Sequence, residues 1–492
     1  MSLSRKIAHN TLIQIAGKIV STILGLFSIA LITRYLGQSG FGEYTTIITF
    51  LTFFAVIADL GLTLVTVQMI SGKKENENKI INNLFSFRLV SIIVLLCLAP
   101  IIVAFLPYDQ TIKLGVLITA IYFVFPALNQ ILIGLFQKKL SMDRAALAEV
   151  IGRLALILGV LIAMKLKTGL NGILIATIIS SAVSFVFHYL FAQKYIKIRL
   201  EFDWALWKKA FSYSWPIAIT IVFNLIYLRA DILILSLFKT SNEVGLYGAA
   251  YKIIDVLTTL PFMFAGLILP ILTASWLEKN YSYFQKVMQK SLDVMIIAAL
   301  PLIMGSQLLA KPVMIFIAGS EFAESGLILK PLMIGVAAIF IGTIFSHAVI
   351  AMHKQKKLIG FYAFTGISSL VAYLIFIPKF SYMGAAWVTV YSEIMIALLC
   401  AYSIFKYSHF LIGLKTFFKS LLASLFMGGF IYLLPNLYKN SLGGLLLVII
   451  LAIILYFLIL YLLKGISPED LEAILKKQKP GAGQSIAPDS NL

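Results

Sequence analysis

The chain has 492 residues, 60% of them hydrophobic and 12% charged, with a mean hydropathy of +0.97. Soluble domains run nearer half apolar and a quarter charged, so the composition excludes an ordinary cytosolic enzyme, a disordered tail protein and a secreted disulfide scaffold. The 40 basic and 21 acidic residues leave a net charge of +19, which suggests nucleic acid in a soluble chain and topology in an apolar one. The two cysteines, Cys97 and Cys400, lie in apolar runs and imply no disulfide. The first apolar run, about residues 7–32, is too long for the hydrophobic region of a cleavable signal and reads as a first span.

Roughly 17–25 mostly apolar residues cross a bilayer as a helix. Breaking the chain at its charged, Gly, Pro and Asn clusters predicts fourteen spans, at about 10–33, 41–70, 84–106, 112–135, 145–165, 170–193, 211–238, 244–275, 290–310, 327–352, 358–377, 383–405, 411–435 and 443–464. Nearly unbroken runs such as 443–463 argue against a β-barrel, whose strands alternate. Spans two, seven, eight and ten are long enough to tilt or kink, with Pro216 and Pro261 as kink sites. The loops reached by even-numbered spans, with both termini, hold 26 Lys and Arg, against nine in the opposite loops. The positive-inside rule then places both termini in the cytoplasm, and the charge needs no nucleic acid.

Three short matches recur at nearly one offset. Phe41-Gly42-Glu43-Tyr44 opens span two as Val244-Gly245-Leu246-Tyr247 opens span eight; Ile151-Gly152 matches Ile359-Gly360; Asn171-Gly172-x-x-x-Ala176-Thr177 matches Met383-Gly384-x-x-x-Val388-Thr389. Spans six apart keep their orientation, so the pattern reads as a parallel six-helix duplication, whose halves face each other across a central cavity. The expected architecture is an all-α integral membrane protein of about fourteen transmembrane helices. It has two pseudo-symmetric six-helix bundles (residues 1–200 and 201–408), an additional helix pair (409–464) and a cytoplasmic tail (465–492).

Arg34-Tyr35-Leu36-Gly37, Phe41-Gly42-x-Tyr44 and Asp59-Leu60-Gly61-Leu62 together resemble the start of the Wzx-like polysaccharide-biosynthesis flippases. These are the O-antigen and teichoic-acid exporters of the multidrug/oligosaccharidyl-lipid/polysaccharide exporter superfamily. The resemblance in motif covers about the first hundred residues; beyond them it rests on span number, the duplication and the appended pair. It implies transfer of an undecaprenyl-linked oligosaccharide between leaflets of the plasma membrane, alongside a glycan polymerase and glycosyltransferases. The glycan itself does not carry over.

Charges at mid-membrane cost about 2.5–3.5 kcal/mol each on insertion scales, so those retained should face a cavity or a partner. Span one carries Asn10, Gln14, Lys18 and Thr22 at strict i+4 spacing, a wet stripe with one cation that suits a diphosphate; snorkelling of Lys18 is the alternative. Span two carries Thr45, Thr49, Thr52, Asp59, Thr63 and Thr66; Asp59 either pairs structurally, with Lys18 for one, or carries a coupling ion. In span seven Arg229 and Asp231 point about 200° apart, so one faces the cavity and the other a neighbour. Lys252 and Asp255 in span eight either satisfy each other at i,i+3 or serve the cavity. Glu149 with Arg153, Arg88 and Asp293 sit near cytoplasmic helix starts and read first as interfacial anchors or structural pairs; the second reading is that Arg88 and Arg153 line a mouth that receives a diphosphate. Glu393 is the one carboxylate near the middle of span twelve, a proton or cation site or a hydrogen-bond partner. His188, His347 and His353 lack companions at metal spacing and read as packing residues.

No phosphate-binding Gly-x4-Gly-Lys-Ser/Thr occurs, and neither cofactor nor metal is implied. Three functions compete. A lipid-linked oligosaccharide flippase fits the internal cations, with Lys18, Arg229, Lys252, Arg88, Arg153, Asn10 and Gln14 toward the substrate and Asp59, Asp231, Asp255 and Glu393 toward a coupling ion. An ion-coupled exporter of small cationic drugs would want acidic or aromatic pockets. An integral enzyme needs a sizeable outer loop, for which only 311–326, with Glu321 and Glu324, is a candidate. In the tail, Ser467-Pro468-Glu469-Asp470 reads as a capped helix start.

Overall fold

The computed structural model describes residues 3–59, 61–70, 77–435 and 441–465. Among these every regular element is helical, and fourteen lengths cross the molecule. They are α1 (3–36), α2 (38–59, continued by Leu62–Ile70), α3 (Glu77–Ala104), α4 (Gln110–Lys138), α5 (Met142–Lys165), α6 (Gly169–Ala192) and α7 (Trp204–Phe238). The others are α8 (Ser241–Leu257, continued by Thr259–Leu277), α9 (Tyr281–Ala318), α10 (Ser325–Ala351, after a 3₁₀ turn Ser320–Glu324), α11 (355–380), α12 (382–408), α13 (Lys415–Leu433) and α14 (Leu442–Leu462). Each predicted span has its helix. The predicted tail helix, and the side chains of Thr63 and Pro216, lie outside the described residues.

The reversals have local causes. Helix α1 turns into α2 at Gly37, whose φ of +65° suits a residue without a Cβ. Helix α11 turns into α12 at Ser381, φ +50°, held by its hydroxyl donating to Glu243 Oε1 at 2.5 Å. Helix α2 breaks at Gly61, φ +75°. The break in α8 falls at Thr258, within the turn where the ring of Pro261 opposes the carbonyl of Leu257 four residues earlier. Between α6 and α7 the connection is pinned: the buried Asn82 of α3 donates to Glu201 Oε1 (2.9 Å) and accepts from the Arg199 amide (3.1 Å).

Packing is inverted relative to a soluble protein. Large apolar side chains such as Leu117, Leu158, Leu398 and Ile454 are more than half exposed around the outside, a surface that suits lipid and would aggregate in water. Inside lie paired tyrosines and hydroxyls. The repeated motifs meet in each bundle: Tyr247 of α8 lies 3.2 Å from Thr389 of α12 by their hydroxyls, and Tyr44 of α2 faces Thr177 of α6. The third match behaves differently, since Gly152 packs on Ser184 whereas Gly360 has open space.

At the end remote from the chain termini, α2 and α8 touch backbone to backbone. A Cβ added at Gly42 would lie 1.8 Å from the Ser241 carbonyl oxygen, and one at Gly245 would lie 2.1 Å from that of Gln38. Arg34 donates to the Phe316 carbonyl and Gln38 to the Glu321 carbonyl, each at 2.5 Å. These contacts tie the first bundle to the second at that end.

Candidate functional site

Toward the termini from this seal the interior opens. A cavity of about 460 Å³ runs inside the first bundle, lined among others by Lys18, Tyr44, Asn129, Glu149, Arg153 and His188, with Lys252 reaching in from α8. A second, of about 350 Å³, lies in the other bundle among Asn224, Tyr227, Arg229, Asp255, Tyr362 and Glu393. Between them a space of about 240 Å³ is lined by Lys18, Ser21, Gly25, Arg153, Lys252 and Asp255. Shared residues set the three side by side in one charged interior, called the chamber below: Lys18, Arg153 and Lys252 line both the first and the middle space, and Asp255 lines both the middle space and the second.

The cations differ in how far they are committed. Lys18 lies 3.5 Å from Glu149 Oε1 with its side chain 46% exposed, and Glu149 also accepts from the Ser21 hydroxyl at 2.7 Å. Arg153, one turn along α5 from Glu149, forms no ion pair among the described residues; its guanidinium lies against Gly25, where a Cβ would sit 3.7 Å away. Lys252 is 3.7 Å from Asp255 Oδ2, the i,i+3 neighbour. Arg229 is held hard: its Nη2 donates to Asp255 Oδ1 at 2.7 Å and its guanidinium lies 5.0 Å over the Tyr251 ring.

Several expected roles change. Asp59 does not meet Lys18; it pairs with Arg88 at 2.7 Å, and Arg88 also donates to the carbonyls of Ala58 (3.0 Å) and Ala127 (3.3 Å). Arg88 is therefore a buried clamp across α2, α3 and α4 rather than the lining of a mouth. Asn10 is committed to the fold, its Oδ1 accepting from the Met142 amide at 2.8 Å where α5 begins. Gln14 is exposed and lies outside the chamber lining. The open choice in α7 is resolved: Arg229 faces the chamber, while Asp231 is fully buried and accepts from Tyr247 (2.6 Å) and Thr389 (3.3 Å). Of the α2 threonines, Thr52 and Thr66 bond back to their own helix, to the carbonyls of Ile48 and Leu62, while Thr45 Oγ1 has no hydrogen-bond partner among the described residues. Glu324 accepts from Tyr382 at 2.7 Å and the Glu321 carbonyl belongs to the seal, so 311–326 is part of the closure.

Glu393 stands apart. It is 3% exposed, lines the second cavity, and its Oε1 has no hydrogen-bond partner among the described residues. Two polar residues escaped the sequence reading, Asn129 and Gln130 of α4; adjacent amides in an otherwise apolar run were the available signal. His188, expected to pack, does rest near Phe136 at 6.2 Å between ring centres, yet it also lines the first cavity.

Helix bundles paired around a charged chamber, faced outward by apolar side chains, define a multi-pass membrane transporter. The chain belongs to the family described as polysaccharide biosynthesis protein, whose model matches residues 7–276, more than half its length. It is 24% identical over 402 residues to a Shigella flexneri protein named "Putative O-antigen transporter", covering 77% of this chain and 93% of that one. It is 22% identical over 341 residues to the capsular polysaccharide biosynthesis protein CapF of Staphylococcus aureus, covering 69% and 84%. Among solved structures, the lipid II flippase MurJ in an inward closed conformation superposes with a TM-score of 0.75 at 20% identity, over 92% of this chain and 99% of that one. An inward-facing multidrug resistance transporter of the MATE family gives 0.63 at 13% identity, over 86% and 99%. Both share the all-α transporter fold.

Proposed function

We propose that the protein moves a polyprenyl-diphosphate-linked oligosaccharide from the inner to the outer leaflet of the plasma membrane by alternating access, with both termini in the cytoplasm. One observation carries the reading: Lys18, Arg153 and Lys252, from α1, α5 and α8, line one cavity whose only carboxylate among its lining residues is Glu149. In that cavity the three cations outnumber the carboxylate, and Lys252's partner Asp255 lies outside its lining, an excess of positive charge that suits the two negative charges of a diphosphate diester. The loose pairs at 3.5 and 3.7 Å leave Lys18 and Lys252 able to exchange partners, and Arg153 needs none displaced. Arg229, tied to Asp255, supports the wall instead. With the basic loops placed inside, the contact at Gly42 and Gly245 falls on the outer side and the cationic cavity on its cytoplasmic side, which supports loading of cargo from the inner leaflet. The prenyl chain stays in lipid, and partner enzymes that build and polymerise the glycan supply and remove the cargo.

Drug export by the same fold finds support in the second cavity alone, where Tyr227, Tyr362 and Glu393 suit a cation; the cations of the first cavity oppose it. The test is flux of a polyprenyl-diphosphate-linked oligosaccharide in proteoliposomes. One charge-assisted contact contributes about 1.5–3 kcal/mol, so Lys18→Gln, Arg153→Gln and Lys252→Gln should each slow flux at least tenfold at equal protein level. Unchanged flux in the triple variant rejects the reading.

A further inference from the structure

The inner wall of the first cavity carries polar groups that neither the fold nor the cationic grip uses. Asn129 and His188 are 7% and 2% exposed, and Asn129 Oδ1 and His188 Nε2 have no hydrogen-bond partner among the described residues. His188 Nδ1 lies 2.8 Å from the Ser184 carbonyl. A ring nitrogen facing a carbonyl carries the proton, which makes Nε2 of the neutral ring an acceptor. The hydroxyls of Ser28, Ser180 and Ser181 each donate to a carbonyl of their own helix at 2.8 Å, leaving lone pairs for the cavity they line. The unpaired acceptors Asn129 Oδ1 and His188 Nε2 call for donors, which an ionised diphosphate diester lacks and a ligand rich in O–H and amide N–H supplies.

The duplication sharpens the contrast. At the spacings that carry Tyr44 onto Tyr247 and Thr177 onto Thr389, Ser28 falls on Asp231 and Ser181 on Glu393. The first bundle thus has neutral hydroxyls where the second has carboxylates, and its cavity of about 460 Å³ lies within the range of small-ligand sites, about 300–1,000 Å³. Buried acceptors left unpaired cost about 1–3 kcal/mol each, a penalty that a bound polyol removes.

We propose that this wall is a carbohydrate subsite, receiving the uncharged hexose or N-acetylhexosamine joined to the diphosphate while Lys18, Arg153 and Lys252 hold the phosphates. The proposal rests on the flippase reading and deepens it.

The experiment measures binding of two probes to the full chain in nanodiscs, undecaprenyl diphosphate and the same lipid bearing one N-acetylglucosamine. The wild type should prefer the glycosylated lipid at least tenfold. Asn129→Leu should bring that ratio near one while affinity for the bare diphosphate stays within twofold, which also reports a folded protein. Gln130→Leu, at an exposed cavity position that folding tolerates, should lower the ratio too and decides the matter if Asn129→Leu loses both lipids. Lys18→Gln should weaken both lipids alike. Equal binding of the two lipids by the wild type, or an unchanged ratio in Gln130→Leu, overturns the subsite and leaves the flippase reading standing. Binding of both lipids that ignores Lys18→Gln overturns the flippase reading itself.

Discussion

Arg88 and Asp59 show what a buried charge does when it serves the fold. The pair closes at 2.7 Å with the guanidinium side chain 4% exposed, and two carbonyls from α2 and α4 take further donors. Removing one partner strands the other, at a cost of about 3–5 kcal/mol. Asp59→Ala should therefore lower thermal stability of the purified protein sharply, whereas Asp59→Leu with Arg88→Met should recover most of the loss. A melting temperature unchanged by Asp59→Ala would show that the clamp is not structural. That both residues are polar and intramembrane was plain in the sequence; their mutual pairing was not, because they sit on different helices whose facing sides depend on the bundle. Asn10 and Lys18 make the same point from one stripe: eight residues apart on the same face, the first caps α5 and the second lines the chamber. Periodicity assigns a face, and the neighbour's identity decides what that face does.

The duplicated Gly-x-Tyr element does two jobs in its folded context. Its tyrosines turn inward to meet the threonines of α6 and α12, and its glycines bring α2 and α8 together where any Cβ would collide with backbone. A clash of 1.8 Å with a carbonyl oxygen cannot be relieved by a rotamer change. Gly42→Ala should accordingly hold the seal apart while leaving both bundles folded. A Ser241→Cys reporter, half-buried in the parent, should react several-fold faster with an impermeant maleimide in the Gly42→Ala background, and transport should fall more than tenfold. Transport within twofold of the parent would show that the close approach is dispensable. The motif was legible as a repeat, but its role as the contact between halves was invisible, since a sequence match at one offset says nothing about where two copies meet.

Across the whole molecule the two cavities have unlike chemistry. One is cationic with a hydroxyl and amide wall; the other holds tyrosines, the Arg229–Asp255 pair and Glu393. A buried carboxylate with an unpaired oxygen needs a counter-charge, and Arg229, the cation lining the same cavity, is paired with Asp255. A proton or small cation at Glu393 supplies it, which makes Glu393 the strongest of the four carboxylates for energetic coupling; Asp59 and Asp255 have cationic partners, and Asp231 is satisfied by hydroxyls. Glu393→Gln should leave downhill flipping intact and bring the accumulation ratio across an imposed proton or sodium gradient to about one. Retained accumulation would reject that role.

The sequence by itself determined the fourteen spans and the pairing of motifs between two sets of six, because each follows from apolar length, charge clusters and short-range turn chemistry that act along the chain. Tertiary structure alone decided which intramembrane charges remain available. Lys18 and Arg153 became chamber residues, Arg88 and Asn10 became struts, and Asn129 with His188 became an unsatisfied wall. In a low-dielectric interior a polar group takes its meaning from whatever lies within about 3–4 Å of it, and that neighbour comes from another helix.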